Sequence, residues 1–206
     1  MENLKKEGLT PKFHVLDIGN EETIIKLRDF MKDKYGGIDV LVNNAGMAFK
    51  SAATESFGEQ ATVTVATNYW ANKNACEILF PILKPGARVV NMSSCEGFLG
   101  HLGARGGDKT KAEHLKKKLS SDALSVGELD EYMKNFVETA NAGTHGAHGW
   151  PNSTYVVSKI GWSAFSRIQQ REMEKDSRQN IVINHVHPGI VDTDMTSHKG
   201  PLSIDR

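Results

Sequence analysis

Asp39-Val40-Leu41-Val42-Asn43-Asn44-Ala45-Gly46 is an apolar run that ends in two amides and a small-residue turn. The run predicts a buried strand over Ile38–Asn43. Asn and Gly at the carboxyl end of such a strand let backbone approach a ligand and supply hydrogen-bonding groups there, although both residues also serve ordinary turns. Two further runs repeat the pattern. Arg88–Met92 leads into Ser93-Ser94, and Ile181-Val182-Ile183-Asn184-His185-Val186-His187 leads into Pro188-Gly189-Ile190-Val191-Asp192-Thr193. Lys12–Ile18, with Asp17 near its end, predicts one more short strand. Helices are predicted between these runs. Asn20 caps the first, Ile24, Leu27, Phe30 and Met31 give it an apolar stripe, and Gly36-Gly37 ends it. A long helix is predicted from about Gly58 to Leu83, with its last turn bent by Pro81. Strands alternating with helices predict a doubly wound parallel sheet with right-handed crossovers, an α/β fold whose reactive groups belong at the carboxyl edge.

The 206 residues suffice for one α/β domain. Lys plus Arg number 25 and Asp plus Glu 25, so no net field draws the chain to nucleic acid or an anionic membrane. No run of about 18 apolar residues exists to span a bilayer. The start, Met1-Glu2-Asn3-Leu4-Lys5-Lys6-Glu7, has no secretory pattern. Cys76 and Cys95 are the only cysteines, which favours a reducing compartment over a disulfide framework. A cytoplasmic location is the expectation.

Tyr155 and Lys159 stand four residues apart in Tyr155-Val156-Val157-Ser158-Lys159-Ile160-Gly161. On a helix both side chains leave one face. An ammonium beside a phenol favours the phenolate and is expected to lower the tyrosine pKa from about 10. Asn68, in Thr67-Asn68-Tyr69-Trp70, is a polar residue on the long helix. Ser94 places a hydroxyl at a strand end, where it can meet a substrate oxygen or open a loop. A hydrolase built on Ser94 and Lys159 is conceivable but leaves Tyr155 and both glycine turns unexplained. His185 and His187 share one side of a strand, with no third ligand to complete a metal site; none is expected.

Taken in order, Asn43-Asn44-Ala45-Gly46, Asn68, Ser94, Tyr155-x-x-x-Lys159 and Pro188-Gly189-x-x-x-Thr193 resemble the short-chain dehydrogenase/reductase family. From Phe13 to Met195 the chain resembles its cytosolic carbonyl reductase branch. That resemblance implies reduction of ketone, aldehyde or quinone carbonyls with NADPH. It implies that Tyr155 protonates the alkoxide and that Lys159 lowers its pKa and meets the nicotinamide ribose. Ser94 would polarise the carbonyl, and Asn68 would hold a water that replaces the proton. Asp17 and Ile18 match positions that meet the adenine. Asn44 matches a contact near the ribose, and Val191, Asp192 and Thr193 match contacts to the carboxamide. Phe49, Lys50, Ser51, Gln60 and Thr154 match positions around a glutathione-type ligand. Trp150 and Ile190 are expected to line the apolar part of the pocket.

The segment from about Glu96 to Gly149 is long for this family and matches an insertion of the carbonyl reductase branch. There it covers a dimerising face, which implies a monomer. Within it, Lys109–Leu119 predicts a solvated basic helix face, and Leu129–Phe136 an amphipathic helix beginning near Ser125 or Glu128. The family's opening strand, glycine-rich turn and helix, which hold a cofactor pyrophosphate, have no counterpart before Lys12. Gly103-Ala104-Arg105-Gly106-Gly107 follows no suitable strand and is rejected as a phosphate loop. The chain is therefore expected to be truncated at both ends relative to that family. Two readings stay open at this point: part of an active reductase, or a short non-catalytic protein whose surface binds a partner.

Overall fold

The computed structural model describes residues 2–204. A short α1 (Glu2–Lys6) precedes an extended segment without strand pairing, then α2 (Glu21–Tyr35) and β1 (Ile38–Asn43). After these come α3 (Phe57–Val65), a π-helical turn (Ala66–Ala71), α4 (Asn72–Leu79) and β2 (Leu83–Met92). The rest comprises α5 (Lys109–Leu119), α6 (Val126–Asn141), α7 (Thr154–Met173) and β3 (Val182–Val186). The three strands lie in the order β1-β2-β3 and both pairings are parallel. Asn43 pairs with Asn91 and Asn91 with His185, so all three strands end level.

Local chemistry explains most of these boundaries. The Asn20 side chain accepts from the Glu22 backbone at 3.1 Å and opens α2. Gly36, at φ 71°, closes it in the left-handed conformation that glycine adopts freely. Ser56 with Glu59, and Ser125 with Glu128, form reciprocal capping boxes that start α3 and α6. The long helix expected over 58–83 runs in unbroken right-handed helical backbone from Phe57 to Ile82. Its middle is π-helical, and Pro81 sits in a 3₁₀ turn over Phe80–Ile82.

Lys12–Ile18 forms no strand, which corrects the expectation. No strand pairs with it among the described residues, and Phe13 and Val15 stay 75% and 64% exposed. A strand without a ladder leaves its N–H and C=O groups to water. Asp17 takes up local bonds instead: its backbone N–H donates to Thr23 Oγ1 at 3.0 Å, and its carboxylate accepts from Gly19 at 2.8 Å.

α3, α6 and α7 pack on one face of the sheet around Tyr69, Met133, Phe136, Trp150 and Trp162, all essentially fully buried. α6 approaches both neighbours where they carry glycine. A Cβ on Gly58 would lie 2.7 Å from the Asn141 Cα, and one on Gly161 would lie 2.4 Å from Met133 Sδ. Trp150, expected in a ligand pocket, is core. Its indole N–H donates to Asn135 at 3.0 Å. The basic face of α5 is exposed as expected, while Ala112, Leu115 and Leu119 turn inward.

A polar layer runs beneath the strand ends. Asn43 donates to Asn91 at 2.8 Å and to Cys76 Sγ at 3.2 Å, and Asn91 donates to Ser166 and Gln169 at 2.8 and 2.9 Å. Each of these side chains is buried, and each is bonded, as buried polar groups must be.

Candidate active site

A cleft of about 620 Å³ opens over the carboxyl ends of all three strands. Asn44-Ala45-Gly46 follow β1, Ser93-Ser94-Cys95-Glu96 follow β2, and Pro188-Gly189-Ile190-Val191 follow β3; all of them line it, with Tyr155 from α7. Parallel sheets put binding sites at this edge because the loops there diverge and leave a crevice.

Tyr155 is half-buried near the start of α7, after the Ser153 cap. Burial pushes its phenol above the ordinary tyrosine value. A hydrogen bond from Ser94 opposes that shift, and the nearby Cys95 and Glu96 add to it. Lys159, one turn on, is only 6% exposed. Its ammonium donates to the Met92 carbonyl at 2.8 Å and lies 5.6 Å from the centre of the Tyr155 ring. Burial pulls its pKa down to about 8. The expectation that Lys159 acidifies the phenol is not met in this arrangement. The ammonium directs a hydrogen bond to the backbone of β2 and lies over the Tyr155 ring, and loss of water dominates the phenol.

Asn68 sits in the π-helical turn, a rare geometry that recurs at functional sites. Its carbonyl accepts from the Met47 N–H at 2.8 Å; its amide donates to the Met47 carbonyl at 2.9 Å and to Ser158 at 3.0 Å. The loop after β1 is thereby tied to α7. Gly46 lies between Asn68 and Lys159. A Cβ there would stand 3.2 Å from Asn68 Oδ1 and 3.6 Å from Lys159 Nζ, so the missing side chain keeps this corner of the cleft open.

The structure brings together Ser94, Tyr155, Asn44, Val191 and Thr193 on one cleft, with Lys159 and Asn68 beside it. Ile190 lines it as expected. Asp17 and Ile18 lie outside its lining, and so does Asp192, whose carboxylate meets His198 at 2.8 Å. Phe49, Lys50, Ser51 and Gln60 also lie outside it. Lys50 donates to the Asp194 carbonyl, and Gln60 to the Glu55 carbonyl at 2.9 Å. Thr154 is buried against Thr64, 3.3 Å away between hydroxyls, and does not line the cleft. Sequence reasoning missed Glu96, Met195 and Thr196, which all line the cleft. For Glu96 a signal existed: a carboxylate two residues past Ser94.

Among the described residues no group of three or more His, Cys, Asp or Glu could hold a metal, and no helix is long and apolar enough to cross a membrane.

A phenol, a buried ammonium and a serine at the carboxyl edge of a parallel sheet define a class of proton-delivering α/β oxidoreductase sites. The profile of the family described as enoyl-(acyl carrier protein) reductase matches residues 1–127. Carbonyl reductase [NADPH] 3 of Rattus norvegicus is 41% identical over 206 residues, 100% of this chain and 72% of that protein. Carbonyl reductase [NADPH] 1 of Homo sapiens is 41% identical over 204 residues, 98% of this chain and 71% of that protein. Among solved structures, salutaridine reductase from Papaver somniferum superposes with a TM-score of 0.82 at 26% identity, covering 98% of this chain and 77% of that one. The chain belongs to the short-chain dehydrogenase/reductase family.

Proposed function

We propose that the cleft is the reducing site of an NADPH-dependent carbonyl reductase. The observation that carries this reading is the hydroxyl pair of Ser94 and Tyr155 on one cleft wall, with Lys159 behind it. The 41% identity to carbonyl reductases named for NADPH supports the cofactor.

The residues present fit the nicotinamide end of such a cofactor. Gly46 leaves space that a Cβ would fill, and Asn44 and Thr193 bring polar side chains to the same cleft, with Val191 beside them. Among the described residues, no glycine-rich turn joins a strand to a helix to hold a pyrophosphate. Gly106 and Gly107 instead pack against Asn152 and Trp150.

Nicotinamide chemistry supplies hydride to a carbonyl carbon; the chain manages the proton. Tyr155 keeps its proton because burial disfavours the phenolate, and it delivers that proton to the oxygen as negative charge develops there. Ser94 orients the same oxygen toward the phenol. Lys159 would meet the nicotinamide ribose with its ammonium, and Asn68 fixes the loop that carries Gly46. The largely apolar lining from Ala45, Ala48, Met92, Ile190 and Met195 suits quinones and aromatic ketones or aldehydes. Because Phe49, Lys50, Ser51 and Gln60 stand apart from the lining, the reading requires no glutathione adduct.

The protein would act as a monomer in the cytoplasm. The 96–149 insertion, read as part of a single domain, supports this: its α6 covers α3 and α7. Both cysteines are free, which suits a reducing compartment. The test is a titration of the chain with NADPH by nucleotide fluorescence, followed by turnover of an aromatic ketone. Saturable binding with turnover is expected, and Tyr155→Phe should lower the rate by about 10²–10⁴. Absence of NADPH binding would remove the reading in favour of a non-catalytic role.

A further inference from the structure

Glu96 is the one charged side chain among the described residues that line the cleft. It follows Ser94 by two positions in a 3₁₀ turn over Cys95–Gly97. Its side chain is 27% exposed and is clasped from the outside. Arg105 Nη2 donates to Oε1 at 2.9 Å, and Arg105 Nη1 stands 2.7 Å from Oε2. His101 Nδ1 lies 3.5 Å from Oε2 and 3.2 Å from the Glu96 carbonyl. Arg105 is 45% exposed and does not line the cleft. The pair is therefore asymmetric. Glu96 belongs to the cleft wall with Oε2 sealed from solvent, where low dielectric preserves its field, while the guanidinium is the more exposed partner, which water screens. Tyr155 lines the same cleft, so the Glu96 charge and the reacting oxygen share one space, and Glu96 is the smallest of the influences that raise the Tyr155 pKa. Lys159 opposes it from behind Gly46, with its ammonium bound to the Met92 carbonyl.

We propose that Glu96 makes this cleft select against anionic carbonyl substrates, and that the ion pair with Arg105 sets the strength of that selection. The favoured class is neutral carbonyl compounds, or those with a hydrogen-bond donor facing Glu96. This rests on the reductase reading for turnover but not for binding.

The experiment compares 4-formylbenzoate with its methyl ester, two aldehydes of similar shape that differ in charge. Ligand-observed NMR reads binding to the chain alone, and NADPH oxidation reads kcat/KM. The wild type should prefer the ester. Glu96→Gln leaves Arg105 without its partner and should shift the carboxylate-to-ester ratio upward by about tenfold, the scale of one partly screened charge. Arg105→Gln frees the carboxylate and should shift the ratio downward. A loss of fold cannot move the ratio in opposite directions in the two variants. An unchanged ratio, shifts of the same sign, or no binding of either aldehyde would overturn the proposal. If both binding ratios shift as expected while no aldehyde is reduced, the selection stands and the reductase reading fails.

Discussion

Lys159 carries its charge into a nearly closed space, and that fixes how the site should respond to pH. Its pKa falls from the ordinary 10.5 to about 8, through burial alone. Above about 8 the side chain becomes neutral, so reductase activity at saturating substrate should decline as pH rises through that value. Tyr155, shifted upward, keeps its proton across the same range. Stability should move the other way. Between about 8 and 10.5 the unfolded chain binds the lysine proton and the folded chain does not, so unfolding free energy rises with pH there. Falling rates with a rising denaturation midpoint over this window would separate titration of Lys159 from unfolding; a midpoint that falls with the rate would refute it. The pairing of Tyr155 with Lys159 was legible from their spacing. The bond to the Met92 carbonyl was not, because it depends on where the fold places the end of β2. The sign of the tyrosine shift was equally hidden, because the burial of the phenol sets it.

The strands and their order of motifs were readable from apolar runs ending in Asn, Ser or Pro-Gly. Two helix starts followed from side-chain caps that act within one turn, at Asn20 and Ser125, while the Ser56–Glu59 box that opens α3 was overlooked. Lys12–Ile18 failed because strand propensity carries no information about whether a partner exists. The π-helical turn was equally hidden, since its residues have no composition of their own. Close helix contacts at glycine were also silent in the sequence, yet they hold α6 in place. Gly58→Ala sets a Cβ against the Asn141 backbone, which cannot swing aside as a side chain can. The expected cost is about 1–3 kcal/mol, from overpacking, measured as a lower denaturant midpoint. A second contact of this element is the Tyr69 hydroxyl, which donates to Asp130 at 2.7 Å, with Lys73 3.3 Å from the same carboxylate. Asp130→Ala leaves the buried phenol without its acceptor and should destabilise by about 1–3 kcal/mol. An unchanged midpoint in thermal or chemical unfolding would show that α6 is held by apolar packing alone.

At the scale of the molecule, the two parts of the chain differ in how they are secured. The 96–149 segment is anchored by buried residues on α5 and α6 and by Arg167 and Arg171 of α7, which donate to the Leu119 and Leu124 carbonyls. Trimming about Glu96 to Gly143 should expose the apolar surfaces of α3 and α7 and produce self-association in sedimentation. If the trimmed chain sediments as a monomer, the covering role of the segment is wrong. The polar layer under the strand ends has a separate chemical consequence. Cys76 is 1% exposed, and burial pushes its thiol up to about 12, while Cys95 stands in the open cleft wall. Nucleophilicity toward alkylating reagents follows the thiolate and its access. Iodoacetamide should therefore mark Cys95 in the native protein and reach Cys76 only when the sheet comes apart. The chain thus contains an internal clock for opening of its centre and, a few residues away, a footprint for whatever enters the cleft.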